Sequence, residues 1–295
     1  MSVILGTNHM FLYPDSIVNE KAHLESLKKL AATDLVDALD CWLWRGETAK
    51  EERKILLDSG KIINYNIGDR FGEDVAQPAS RDKAERERAY DLMMREIGYA
   101  LDLGSKKIIF GSGPDHPQDR AAAQERFAEL ILRVAKQLPS DVELSFEPTD
   151  RDIHKFFLYG LLDETVDFIK LVRKNGFERI GLLLDMCHVP IIRETLESAI
   201  EKGGAVLNHI HLGNSVIKDP TDPLYGDRHS AWNYKGGEYT EEDGVRFIHM
   251  LGDIGYLDKE NATVSFEMRP YEGLSSEESL ARFVGVFKRA IGGLK

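Results

Sequence analysis

The feature that most constrains the fold of this chain is an alternation, repeated eight times, of short apolar runs and longer amphipathic segments. The apolar runs, rich in β-branched residues as strands are, cover 3–8, 35–41, 61–66, 107–111, 142–147, 180–185, 207–212 and 262–267. The segments of helical period cover 16–31, 48–59, 81–103, 119–137, 163–175, 192–202, 240–252 and 275–291. Eight strands that are each followed by a helix predict an α/β fold, a (β/α)8 TIM barrel. An open, doubly wound sheet is the weaker alternative.

Local signals support these boundaries and divide the chain nowhere. Ser275 and Glu278 have the spacing of a capping box and predict the start of the last helix. Gly176 and the pair 203–204 are typical of helix ends. No low-complexity tract or linker interrupts the 295 residues, so we expect one barrel domain over 1–295.

Composition restricts the classes of partner. Acidic residues exceed basic ones by 50 to 38, giving a formal net charge of −12, which argues against an extended nucleic-acid interface. Cys41 and Cys187 suggest no disulfide framework. The first residues lack the features of a signal peptide, and no apolar run has membrane-spanning length. We therefore expect a soluble cytoplasmic protein without a nucleic-acid or membrane partner.

Four side chains that can bind a metal close four successive strand-like runs. They are Glu147, Asp185, His211 and Glu267. The carboxyl ends of parallel strands lie together at one end of a barrel, so we expect these groups to converge there. Carboxylates favour Mn²⁺ or Mg²⁺, and an imidazole is compatible with Mn²⁺, Co²⁺ and Zn²⁺. The set predicts a divalent-metal site with Mn²⁺ as the preferred ion and Co²⁺, Mg²⁺ and Zn²⁺ as alternatives.

Further polar side chains are candidates for the substrate pocket. The predicted substrate-binding residues are His188, Asp227, His229, Arg269, His9 and Lys218. His188, Asp227 and His229 could instead bind a second ion. His209 shares the direction of His211 one layer deeper, and we expect a structural or supporting role for it. Asn66 and His116 are weaker candidates for the pocket wall, and Trp42 and Trp44 are typical of a core or an interface.

Two long connections are expected on the catalytic face, at about 67–80 and 212–239. Both follow predicted strands, and loops in that position cover the active site of a barrel enzyme.

The chain resembles the xylose isomerase-like TIM barrel superfamily, which includes sugar isomerases, ketose 3-epimerases and abasic-site endonucleases. The resemblance covers nearly the whole chain and is most specific at SFEP, LLLDMCH, HIHLGN, GDRH and SFEMRP. It implies that Glu147, Asp185, His211 and Glu267 hold the metal. It also implies that His188 contacts substrate, as in the epimerases, or a second ion, as in the endonucleases.

Departures from the family patterns keep the subfamily open. Ile217 stands where the ketose epimerases have arginine, and Ile153 stands where they have glutamate. The additional histidines of the endonucleases are missing at the third and fourth strand ends, where the chain has Asn64, Asn66, Gly111 and Ser112. Lys218, Arg228 and Arg269 could meet a carboxylate or phosphate of the substrate.

The leading hypothesis is a metal-dependent isomerase or epimerase that acts on a keto-sugar or sugar acid through a metal-bound enediolate. Glu147 and Glu267 are the predicted catalytic residues, removing and returning the proton. The alternatives are a lyase, dehydratase or decarboxylase acting on a sugar acid, an abasic-site endonuclease, and a sugar-binding barrel with a structural ion. A homo-oligomer is compatible with the sequence, which does not identify the sugar.

Overall fold

Eight parallel strands close into a barrel, which confirms the predicted (β/α)8 fold. The computed structural model describes residues 3–68, 70–73 and 76–294, apart from the side chains of 72 and 73. Each strand pairs with its neighbour in the sequence, and β8 pairs with β1. The strands are β1 Ile4–Asn8, β2 Ala38–Cys41, β3 Ile62–Asn66, β4 Lys107–Phe110, β5 Glu143–Phe146, β6 Ile180–Asp185, β7 Leu207–Leu212 and β8 Thr263–Phe266.

Among the residues described, the connections after the strands contain the predicted helices and three additional short α-helices. The helices that follow the sequence prediction are α2 Glu20–Ala32, α3 Ala49–Asp58, α5 Lys83–Asp102, α6 Arg120–Ala135, α7 Leu162–Lys174, α9 Leu196–Gly203, α10 Glu241–Asp253 and α11 Ser276–Gly293. The short helices are α1 His9–Leu12, α4 Arg70–Glu73 and α8 His188–Ile191. The short helices lie directly after β1, β3 and β6, where they shape the end of the barrel at which the strands finish.

Two predicted helices begin later than expected, because side chains cap the backbone inside the predicted range. A 3₁₀ helix, Pro14–Ile17, overlaps the start of the segment 16–31, and the Asn19 side chain accepts a hydrogen bond from the backbone N–H of Ala22 to start α2. In the segment 192–202 the Thr195 side chain caps α9 in the same way. Ser275 and Glu278 form the predicted capping box of α11.

The hydrophobic core lies between the sheet and the helices, whereas the interior of the barrel is largely polar. Outward-facing Phe146 is fully buried against Phe127 and Phe168 of the surrounding helices. Each such ring contributes roughly 1.5–3 kcal/mol to the free energy of unfolding. Inside, Lys107 of β4 donates hydrogen bonds to the carbonyl of Asn208 at 2.7 Å and to the hydroxyl of Thr263 at 2.9 Å. Polar groups of strands that are not neighbours thus meet across the barrel axis.

No helix among residues 3–68, 70–73 and 76–294 is both long and apolar enough to cross a membrane.

Candidate metal centre and active site

The four predicted metal ligands come together at the carboxyl end of the barrel. Asp185 is the last residue of β6 and His211 lies near the end of β7, while Glu147 and Glu267 follow β5 and β8 directly. One ligand atom from each lies within 4.8 Å of the corresponding atoms of the others. The convergence that parallel strands predict is therefore present, and the distances suit four ligands around one ion.

The hydrogen-bonding pattern fits a cation between these side chains. Glu147 Oε1, Asp185 Oδ2, His211 Nδ1 and Glu267 Oε2 are all buried without a well-formed hydrogen bond, and His211 Nδ1 lies in close contact with Glu267 Oε2. Buried polar atoms are rarely left unsatisfied in folded proteins, so four of them at one point need an explanation. A divalent cation between them would satisfy all four, and three carboxylates with one imidazole are a donor set that suits such an ion.

Three of the four ligands are held by their second polar atom. The Asn8 amide donates to Glu267 Oε1 at 2.6 Å, and the backbone N–H of Cys187 donates to Asp185 Oδ1 at 2.6 Å. His211 Nε2 donates to Asp40 Oδ2 at 2.8 Å. In each case one atom is fixed by the protein while the other faces the centre. Such partners orient metal ligands in known metalloproteins.

The pKa values of the centre reflect an excess of buried negative charge. Burial raises the pKa of Asp185 to about 7 and also raises the pKa of Glu267. Burial would lower the pKa of His211, but the neighbouring Glu267 carboxylate raises it well above the ordinary value. Without a cation, a buried acidic cluster reduces its negative charge by keeping protons on carboxyl groups and by protonating an imidazole.

A second group of polar side chains lies beside the centre. His188 Nε2 is 3.1 Å from Asp227 Oδ1, and His229 Nε2 is 2.6 Å from the same oxygen. The other nitrogen of each ring bonds to a carbonyl, that of Pro148 at 3.0 Å for His188 and that of Glu267 at 3.0 Å for His229. Asp185, Cys187, His188 and His229 also have ligand atoms within 4.8 Å of one another. Three predicted substrate-binding residues, at positions 188, 227 and 229, thus lie next to the four predicted ligands.

A small cavity that is open to solvent adjoins both groups. The lining residues are Met10, Phe11, Asn66, Gly68, Gly111, Glu147, Thr149, Lys155, Phe157, His188, Asp227, His229 and Glu267. Asn66 lies in this wall as the sequence suggests, and both long connections contribute, through Gly68 and through Asp227 with His229.

The other three predicted substrate-binding residues do not line this cavity. His9 is fully buried, and its Nε2 lies 2.8 Å from the Ser26 hydroxyl. Lys218 is exposed and pairs with Glu238 at 2.8 Å. Arg269 is half-buried, and its Nε donates to the carbonyl of Arg228 at 2.8 Å, so it braces the loop that carries His229. Strand direction does not define where a loop or a long side chain ends, so the sequence alone does not place these three residues relative to the cavity.

The remaining weaker candidates also lie elsewhere. His116 is absent from the cavity wall. Trp42 and Trp44 stack on each other with ring centroids 5.5 Å apart, and Trp42 is buried, as expected of core residues.

Sequence reasoning missed Asp40, Asn8, Lys155 and the aromatic wall of the cavity. Asp40 is fully buried and accepts hydrogen bonds from His209 and His211. These bonds, together with the charge of His209, hold the pKa of Asp40 well below its usual range, although burial alone would raise it. A carboxylate inside the apolar second run, LVDALDC, was the available signal for Asp40. Lys155 and Phe157 lie in a loop, where periodicity gives no assignment.

Comparisons with known proteins agree with this architecture. Residues 40–284 match the family model described as xylose isomerase-like TIM barrel. A D-psicose 3-epimerase from Ruminiclostridium cellulolyticum is 28% identical over 139 residues, which are 47% of this chain and 40% of that protein. A D-psicose 3-epimerase from Enterocloster bolteae is 27% identical over 153 residues, which are 50% of this chain and 47% of that protein. The matched regions therefore span less than half the length of these relatives.

Solved structures show the same fold over nearly the whole chain. A family 2 AP endonuclease from Brucella melitensis has a TM-score of 0.69 at 19% identity, covering 96% of this chain and 99% of that one. D-psicose 3-epimerase from Clostridium cellulolyticum has a TM-score of 0.65 at 18% identity, covering 99% and 100%. The family model spans most of the 295 residues. The chain belongs to the xylose isomerase-like TIM barrel family.

Proposed function

We propose that this protein is a divalent-metal-dependent sugar isomerase or epimerase that transfers a proton on a keto-sugar or sugar acid. The observation that carries the proposal is the set of four buried, unsatisfied ligand atoms of Glu147, Asp185, His211 and Glu267 beside an open cavity. The names of the relatives, D-psicose 3-epimerase and, among the solved structures, L-ribulose 3-epimerase, support a sugar substrate.

The four ligands would hold Mn²⁺ by preference, with Co²⁺, Mg²⁺ and Zn²⁺ as alternatives. A bound divalent ion would polarise a substrate carbonyl and so lower the cost of removing a proton from the adjacent carbon.

Glu147 and Glu267 are the proposed acid–base pair. Both line the cavity, and each has an oxygen without a hydrogen bond in the protein. Glu267 is oriented through its second oxygen by Asn8, so its unsatisfied oxygen faces the centre. One carboxylate would take the proton and the other would return it, which epimerises the carbon if they act on opposite faces and isomerises the substrate if one face is used.

His188, Asp227 and His229 would position the substrate. Asp227 bonds both rings. Burial alone would raise the pKa of Asp227, but the charges of the two histidines hold it well below the usual range, so the carboxylate stays ionised. The sugar hydroxyls would exchange hydrogen bonds with this triad, while Phe11 and Phe157 exclude water from the cavity wall.

A lyase, dehydratase or decarboxylase acting on a sugar acid is the second candidate. Ile153 and Ile217 replace residues of the ketose epimerases, and Lys155 brings an ammonium group to the cavity wall. The Lys155 Nζ lies 3.6 Å from Asp227 Oδ2, which is in the same cavity wall beside the proposed metal centre. A substrate carboxylate in the cavity could therefore approach both the metal centre and Lys155.

Abasic-site cleavage is the weaker alternative. The Asp227 triad could hold further ions, and one similar fold is an AP endonuclease. Against it stand Asn66 and Gly111 in the cavity wall and the net charge of −12, which repels a phosphate backbone.

The test is a screen of ketoses and sugar acids with the Mn²⁺-loaded protein in deuterated water. Proton transfer predicts deuterium at a carbon of a product with an intact skeleton, whereas loss of water or carbon dioxide identifies the second candidate. Glu147→Gln and Glu267→Gln should remain folded and lose turnover by roughly 10²-fold or more. Glu143→Gln, at the opposite end of the same strand as Glu147, should keep wild-type rates. Turnover by either site variant at the wild-type rate under saturating Mn²⁺ would reject the assigned roles.

A further inference from the structure

Asp40 connects to the proposed metal centre from the opposite side of the barrel. It lies in β2, which pairs with β1 and β3, whereas His209 and His211 lie in β7. Its Oδ2 is 3.0 Å from His209 Nε2 and 2.8 Å from His211 Nε2. These contacts therefore cross the interior of the barrel, and all three residues are fully buried.

The direction of these hydrogen bonds is fixed by chemistry. An ionised carboxylate only accepts, so both rings must carry a proton on Nε2. The Asn64 amide donates to the other oxygen, Asp40 Oδ1, at 2.6 Å. Three donors, from Asn64, His209 and His211, thus surround the Asp40 carboxylate. Because the other two partners also donate, Asp40 is the acceptor for the Nε2 proton of His211.

His211 is left with Nδ1 facing the centre. This atom lies 3.6 Å from Glu147 Oε1 and in closer contact with Glu267 Oε2, and both of these oxygens belong to predicted metal ligands. A neutral imidazole that keeps its proton on Nε2 presents a lone pair at Nδ1, which is the form that binds a metal.

We propose that Asp40 is a positioning residue that holds the Nε2 proton of His211 and thereby aims the Nδ1 lone pair at the metal. The inference rests on the metal centre of the proposed function but not on the reaction performed there. Asp40 acts through His211 and does not bind the ion, because its two oxygens are already occupied by three donors at hydrogen-bond distances. His209 and Asn64 keep the carboxylate in place.

The experiment measures Mn²⁺ binding by calorimetry without substrate, for the wild-type protein, Asp40→Asn and Asp40→Ser. Removing the partner of a metal-bound histidine typically weakens metal affinity 10- to 100-fold, and we expect a Kd increase of roughly that size in both variants. Glu96→Gln is the matched control, since Glu96 is also a buried carboxylate but bonds Tyr65 on the outer side of the barrel. Its Kd should stay at the wild-type value.

A spectroscopic measurement on the unmodified protein keeps the inference testable if the variants do not fold. In the Zn²⁺-loaded protein with ¹⁵N-labelled histidine, His211 should show a hydrogen-bonded proton on Nε2 and no proton on Nδ1. A His211 ring that carries its proton on Nδ1, or a folded Asp40 variant with the wild-type Kd, overturns the proposal.

The outcomes also separate this inference from the proposed function. A wild-type protein that binds no divalent ion overturns both. A wild-type protein that binds Mn²⁺ but converts no sugar contradicts the proposed reaction alone, and the role of Asp40 is then decided by the Kd values.

Discussion

Asp185 should make the metal-free protein less stable as the pH rises, and Asp185→Asn should abolish this effect. The side chain is 1% exposed, and burial raises its pKa from 3.8 to about 7. The unfolded chain therefore releases this proton near pH 4, while the folded protein keeps it until about pH 7. Between these values the folded state binds more protons, so the free energy of unfolding falls with increasing pH.

The pKa difference sets the size of this effect. Moving a pKa from 3.8 to about 7 corresponds to about 4 kcal/mol over the whole range, of which about 3 kcal/mol falls between pH 5 and pH 8. Urea unfolding of the chelator-treated proteins at these two pH values measures it. Relative to Asp185→Asn, the wild-type protein should lose roughly 3 kcal/mol between pH 5 and pH 8.

Adding Mn²⁺ provides the control. Excess Mn²⁺ at pH 8 should restore the stability of the wild-type protein, because binding to the folded state alone stabilises it. The Asp185→Asn variant lacks one ligand and should respond much less. If the stability difference between the two metal-free proteins is the same at pH 5 and pH 8, the buried-charge reasoning is refuted.

Three further predictions concern other residues. Gly213→Ala should weaken Mn²⁺ binding roughly tenfold, measured by calorimetry. The added Cβ would lie 2.8 Å from Cys187 Cβ and 2.9 Å from Asp185 Oδ1, so Asp185 would have to move. An unchanged Kd would contradict this steric argument. Asn8→Ala should lower the free energy of unfolding in urea by about 1–2 kcal/mol, because α1 loses its cap. It should also lower kcat, because Glu267 Oε1 loses its hydrogen-bond donor. A variant with wild-type stability and wild-type kcat would contradict both roles. Burial lowers the pKa of Lys107 to about 8. Between pH 8 and pH 10 the free energy of unfolding of the wild-type protein should therefore rise by roughly 2–3 kcal/mol relative to Lys107→Met, measured by the same urea unfolding assay. Parallel pH profiles of the two proteins would show that Lys107 ionises normally.

The strands and most helices were predictable because their patterns are local. β6 and β7 have the predicted limits, 180–185 and 207–212. β6 is an apolar run that ends in Asp185, and β7 carries His209 and His211 on one face between apolar end residues. The other strands are shorter than predicted by a few residues at their ends. Glu147, for example, directly follows the last residue of β5.

The convergence of the four predicted ligands also followed from sequence. Parallel strands in a closed barrel end on one side, so residues at the ends of β5, β6, β7 and β8 must be neighbours. Whether these residues bind a metal stays a prediction, which the Mn²⁺ titrations address.

The sequence by itself determined the order of strands and helices and the end of the barrel at which Glu147, Asp185, His211 and Glu267 lie, because both depend on local periodicity. Only the tertiary structure decided that Asp40 meets His211 from 171 residues away, that Lys155 and Phe157 line the cavity, and that Lys218 and His9 do not. Periodicity states which face of a strand a side chain occupies. The partner across the barrel depends on closure of the sheet, and the position of a loop side chain depends on hydrogen bonds that leave no periodic pattern.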